Sequence, residues 1–221
     1  MNITIYPFQP YQILDNSLNI IDIASTNLNS KIINQVRTYG DKIIFSSEDS
    51  NVISSKDAYD YYGDILISLD LDKMFIAKIE KKIEQDIQNP SITNIFDNQR
   101  KMFSIFLQEA YLLDLPIRMN FTPNVDKLLK QSKLSFIHDE LNEPYPILET
   151  LVKTVTSLQD DKLIILLNLT NYLNDSELKL TNQLLADCKK TILTFNFNSV
   201  RRSLTDNYNY LFIDEDFCEW K

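Results

Sequence analysis

KLIILLNLTNYLNDSELKLTNQLLADCKKTILTFN, residues 162–196, passes from strand to helix and back to strand character. Leu163 to Asn168 is a continuous apolar run ending in an amide, the pattern of a strand buried on both faces. Asp175 to Cys188 has helical periodicity, and Thr191 to Asn196 returns to strand character. A strand, a helix and a strand in this order predict a parallel crossover unit. Working outward, Tyr210 to Asp214 (YLFID) adds a strand after it. On the amino-terminal side, Thr4 to Phe8, Leu18 to Ile23 (LNIIDI) and Lys42 to Ser46 (KIIFS) read as strands. A helix starts near Ser30, carries Ile32, Ile33, Val36 and Tyr39 on one face, and is expected to end at Gly40 as its cap. With LNIIDI and KIIFS around it, this helix suggests a second parallel crossover.

The middle of the chain changes period. Phe75, Ile79, Ile83 and Ile87 recur every four residues until Asn89-Pro90. A second helix is expected from about Thr93 to Leu113, stopped by Pro116. A third opens at Thr122-Pro123, with a capping hydroxyl and a proline at the first helical position. A fourth covers about Pro146 to Leu158. The predicted architecture is an α/β head, residues 1–69 and 159–221, with a helical insertion at 70–158. It resembles a degenerate nucleotide-hydrolase core.

Composition narrows the chemistry. The chain of 221 residues holds two glycines, Gly40 and Gly63. A glycine-rich phosphate loop therefore cannot be built, and Asn168 stands where such hydrolases place a magnesium-binding acid. Neither ATP nor GTP turnover is expected, and no nucleotide. His138 has no histidine or thiol partner at ligand spacing and reads as an ordinary surface or half-buried side chain. Asp214, Glu215 and Asp216, like Asp70 and Asp72, read as solvated loop acids. Tyr59, Tyr61 and Tyr62 read as packing residues rather than base-stacking ones. Cys188 and Cys218 give no disulfide framework, MNITIYPF carries no signal-peptide pattern, and no apolar run is long enough for a membrane span. The expected compartment is the cytoplasm.

Charge is unevenly spread. The net charge is −9, yet residues 73–133 hold 10 Lys or Arg against 7 Asp or Glu. Lys78, Lys81, Lys82 and Gln85 stand at i, i+3, i+4 and i+7, which places them on one helical face, read as lying opposite the Phe75–Ile87 stripe. Arg100 and Lys101 fall on the next helix, and Lys127, Lys130 and Lys133 around the third. Lysine-rich surfaces without interleaved aromatics suit phosphate contact without base readout.

The segments LNIIDI, IIFSSEDSNVISSKDAYDYYGDIL and LDLDKMFIAKIEKKIEQDI, with residues 162–196 and YLFIDEDF, together resemble the adaptation protein of type II-A CRISPR systems over about residues 15–217. The resemblance rests on element order, hydrophobic pattern, and an apolar strand ending in asparagine with a tyrosine shortly after. It implies an α/β head with a helical leg and a homotetrameric ring. It also implies non-catalytic binding of double-stranded DNA ends during spacer acquisition, alongside the integrase pair and the effector nuclease. Calcium bridges the helical region of many members. Here LLDLPIRMNFTPNVDKLLK (112–130) holds only Asp114 and Asp126 where those members carry many acids, and Glu109 and Asp114 are the ligands carried over. The alternative reading is a protein-interaction adaptor without DNA binding of its own. A divergent nuclease or nucleotidase is disfavoured by the near-absence of glycine and the single histidine. Lys189 and Lys190, placed on the head, are expected to matter less for DNA than the lysines of the insertion.

Overall fold

Every residue of Leu18–Ile23 is buried, and parallel partners flank this strand on both sides. The computed structural model describes residues 1–115, 118, 122, 124–203 and 208–221. The strands are β1 (Asn2–Ile5), β2 (Tyr11–Gln12), β3 (Leu18–Ile23), β4 (Ile43–Ser46), β5 (Val52–Ile53), β6 (Tyr59–Asp64), β7 (Leu163–Leu167), β8 (Ile192–Phe197), β9 (Asn209–Ile213) and β10 (Glu219–Trp220). The helices are α1 (Thr26–Arg37), α2 (Ser55–Ala58), α3 (Leu71–Asp86), α4 (Asn89–Tyr111), α5 (Val125–Ser132), α6 (Pro144–Ser157) and α7 (Asp175–Cys188). Two compact units result: Met1–Asp70 with Ile137–Lys221, and Leu71–Phe136.

The first unit is built on a six-stranded sheet in the order β10-β9-β3-β8-β7-β6, parallel except for β10. Strands covered on both faces need apolar side chains in both directions, which is why LIILL of β7 is buried throughout. A second, antiparallel sheet has the order β2-β1-β4-β5. Here burial alternates, with Ile3 and Ile5 of β1 and Ile43 and Phe45 of β4 inward. Those inward residues join Ile21, Ile23, Ile165, Leu193 and Phe195 in one apolar cluster, to which α1 adds Leu28, Ile32 and Val36. α7 is fastened at its start by a capping box in which the Asn174 side chain accepts from the Ser176 and Glu177 amides and the Asn174 amide donates to Glu177.

Several expectations from the sequence change. β3 and β4 do not form a crossover pair: β4 runs antiparallel to β1 in the other sheet, and the parallel neighbours of β3 are β8 and β9. α1 begins at Thr26, where the Ser25 side chain accepts from the Leu28 amide. Its end is turned by Tyr39 at φ 53°, not by Gly40. Stacking of the Tyr39 ring on Tyr59, 5.0 Å between centroids, accompanies that left-handed backbone. Helical periodicity continues to residue 158, but the helical unit closes at Phe136. α6 is part of the first unit, where it packs on α7 and where Leu148, Leu151 and Val152 are fully buried. α5 opens at Asn124, whose side chain accepts from the Lys127 amide, rather than at Thr122. Pro116 and Pro123 lie outside the described residues.

The second unit contains α3, α4 and α5, with α5 packed on α3. Asp72 at the start of α3 accepts from the Phe136 amide at 2.8 Å and so ties the beginning of this unit to its end. Asp214 is likewise no solvated loop acid: it accepts from the amides of Asp216 and Cys218 and from the indole of Trp220, which shapes the β9–β10 turn. Tyr59 and Tyr62 are buried as packing residues, and the Tyr59 hydroxyl donates to the Val36 carbonyl.

Candidate functional site

Open parallel sheets bind ligands beyond the carboxyl ends of their strands, where the strand order reverses. In this chain that place lies beside β3, between β8 and β9. Only Ala24 and Ser25 separate β3 from α1, so the connection has no room for a phosphate-cradling loop, and its last residue is already used as the helix cap. The space beyond the strands is filled by side chains. Asp22, fully buried in β3, accepts from the Asn196 amide at 2.8 Å and from the Tyr210 hydroxyl at 3.2 Å. It also pairs with Arg202, Nε to Oδ2 3.0 Å. Burial raises the Asp22 carboxyl above its ordinary range; the Arg202 guanidinium and the amides of Asn196 and Asn198 oppose that rise. Tyr210, half-buried and hydrogen-bonded to Asp22, is pushed up to about 12, chiefly by its partial burial.

One strand pair away, Asn168 has φ 54° and closes a second network. Its side chain donates to Asp64 Oδ2 at 3.3 Å and accepts from the Phe197 amide at 3.4 Å. The Tyr172 hydroxyl donates to the same carboxylate oxygen at 2.7 Å, and the Leu66 and Ile67 amides donate to the other. Asn168 therefore acts as a connector between strand ends. Asp22, Asp64, Arg202 and Tyr210 escaped the sequence reading, and Tyr172 entered it only as the tyrosine that follows Asn168. The signal available was a lone acid within an apolar strand, as in LNIIDI.

The second unit carries the basic residues. Leu71–Phe136 holds 10 Lys or Arg against 8 Asp or Glu. A helix turns about 100° per residue, which puts Lys78 and Lys82 beside Phe75 rather than opposite it. The contacts bear this out: Lys78 Nζ lies 5.7 Å from the centre of the Phe75 ring, and Lys82 is half-buried and paired with Asp86 at 3.2 Å. Lys78, Lys81, Lys82 and Gln85 thus flank the apolar stripe as one basic strip. Glu80 and Glu84 lie on another side of α3, near enough to α5 to help hold Lys130 protonated; the Asp126 carboxylate, 2.8 Å away, is the larger cause. Lys130 is thereby drawn toward acids. Arg100 pairs with Asp97 at 3.4 Å, whereas Lys101, Lys127 and Lys133 are exposed, Lys133 in the left-handed cap of α5. Lys190, placed on the head, lies there but is buried, and it donates to the Asp160 carbonyl and to Asp161. Lys189 is exposed.

Among the described residues, no group of three or more His, Cys, Asp or Glu side chains is placed to hold a metal ion, so Glu109 and Asp114 gain no third ligand there. Asp114 itself sits at φ 48° just past the end of α4. An open cleft of about 700 Å³, lined in part by Asp57, Asp160, Asp161 and Lys162, lies at the amino ends of β6 and β7, away from the carboxyl ends that bind ligands in such sheets. Among the described residues, no helix is long and apolar enough to cross a membrane.

No family model matches this chain, and no curated protein matches its sequence. Among solved structures, Stu0660 of Streptococcus thermophilus superimposes with a TM-score of 0.56 at 11% identity, covering 97% of this chain and 74% of that one. This likeness establishes the fold: an α/β unit with a largely parallel sheet, interrupted by a helical segment.

Proposed function

We propose that this protein is a non-catalytic component of CRISPR spacer acquisition that binds the ends of double-stranded DNA without reading their sequence. In this reading it works as a homotetrameric ring alongside the integrase pair and the effector nuclease. The observation that carries the reading is the segregation of charge. The helical unit holds the net positive charge and exposes Lys78, Lys81, Lys101, Lys127 and Lys133, while the rest of the chain is strongly acidic. DNA is repelled by the acidic unit and attracted to the basic one. Lysine presents a point charge to phosphate and suits contacts that carry no base information. The type II-A resemblance supplies the biological setting, and the fold likeness across nearly the whole chain is consistent with it. The filled carboxyl end of the sheet supports a binding rather than a hydrolytic role.

A gel shift with linear duplex tests this. Replacing Lys78, Lys81 and Lys82 together by glutamate should abolish the shift while native mass and circular dichroism stay unchanged. Retained binding would move the DNA surface elsewhere. The adaptor reading has one observation in its favour: Met102, Ile105 and Phe106 are exposed on α4, and apolar patches of this kind suit protein partners. It would be preferred if the unaltered protein shifted no duplex at low salt.

A further inference from the structure

We propose that the carboxyl end of the parallel sheet is a guanidinium site which this chain fills with its own Arg202, and that the filled site is a latch. The latch fastens the segment leaving β8, residues 198–203, across the ends of β3, β8 and β9. Arg202 lies far from Asp22 in sequence, yet all of its polar ends are used. Nε meets Asp22 Oδ2 at 3.0 Å, and Nη1 donates to the Thr170 carbonyl at 2.7 Å. Nη2 donates to Asn171 Oδ1, and the backbone amide donates to the Tyr210 hydroxyl at 3.1 Å. A planar fork matched by a carboxylate, a carbonyl and a side-chain amide is recognition of shape as well as charge, which an ammonium group cannot reproduce.

The acceptors are held by contacts that do not involve the guanidinium. Asp22 is oriented by Asn196 and Tyr210, and Asn196 in turn accepts from the Thr194 hydroxyl and the Thr170 amide. Thr170 is 4% exposed and its own hydroxyl oxygen has no hydrogen-bond partner among the described residues, so the receptor side retains unused polar capacity there. The Arg202 side chain itself is 22% exposed, so the occupant enters from the solvent side of a buried receptor. Withdrawal of Arg202 would leave a buried carboxylate without its cation, which favours reclosure. An external guanidinium would hold the same receptor.

The experiment uses the full-length protein and three variants: Arg202→Ala, Arg202→Ala with Asp22→Asn, and Arg202→Lys. Thermal melts are recorded against guanidinium chloride from 0 to 50 mM, with sodium chloride at matched ionic strength. Arg202→Ala should melt below the parent, and guanidinium should raise its midpoint saturably, by roughly 2–4 °C. The parent, whose site is filled, and the double variant, whose site lacks its anion, should show no such rise. Guanidinium that leaves Arg202→Ala unchanged, or that raises all proteins alike, overturns the proposal. Should Arg202→Ala not fold, Arg202→Lys keeps the charge without the fork. Its amide hydrogen exchange should then quicken in residues 168–173 and 196–203 but not in α1. Exchange equal to the parent, or faster everywhere, would overturn the latch.

Discussion

Replacing Lys78, Lys81 and Lys82 by alanine should change the salt dependence of DNA binding by an amount that can be worked out beforehand. Each phosphate neutralised on duplex DNA adds about 0.9 to the slope of log K against log salt. Three lysines therefore account for a slope of about 2.7 per engaged subunit. Between 50 and 200 mM salt the logarithm of concentration changes by about 0.6, so the parent should lose about 40-fold more affinity than the variant for each subunit engaged. This is an upper figure. Lys82 already holds Asp86 at 3.2 Å and Lys78 rests on Phe75, so Lys81 is the freest to meet phosphate. Fluorescence anisotropy of a labelled blunt duplex across a potassium chloride series measures the slope directly. The matching control replaces Lys31, Lys42 and Lys56, all exposed in the acidic unit, and should leave the slope unchanged. Lys190 is unsuitable for that control because it is buried against Asp160 and Asp161. An unchanged slope in the triple variant, or an equal fall in the control, would refute the assignment of this strip.

Purified protein should release no phosphate from ATP or GTP, because β3 meets α1 through Ala24 and Ser25 alone; turnover above blank that vanishes in Asn168→Ala would contradict this. Asn174→Ala removes the capping box of α7 and should cost about 1 kcal/mol in urea unfolding, with no change in cooperativity. Burial raises the folded-state value of Asp22, so folding favours its protonated form. The stability this contributes is complete below the unfolded-state value and is lost as pH rises through the raised folded value. Asp22→Asn lacks that titration, so the parent-minus-variant unfolding free energy should fall as pH rises above about 4. A difference that grows with pH would show that the pull of Arg202 outweighs burial.

Much of the α/β unit was legible because parallel strands buried on both faces leave apolar runs in the sequence. LNIIDI marks β3 at its observed bounds, and the run Leu163 to Asn168 overshoots β7 by Asn168 alone, whose backbone is left-handed. Strand pairing was not legible. KIIFS has the same local character whether it joins β3 or β1, and only tertiary packing sends it to β1. α6 was read as a helix but given to the wrong unit, since periodicity reports an apolar face and not the element it meets. The lysine strip was found by spacing. Its position beside Phe75 follows from 100° per residue, and reading every fourth residue as a straight line had hidden it. The Asp22–Arg202 pair was invisible because its members stand 180 residues apart and neither belongs to a motif.

On the function proposed above, duplex DNA enters the helical unit from an end. The most direct measurement compares one blunt linear duplex with the same sequence closed into a covalent circle, in a gel shift at low salt with a single protein preparation. The linear form should shift, the circle should not, and cutting the circle once should restore binding. Equal binding of line and circle would contradict end recognition, and binding of neither would remove DNA as the ligand altogether.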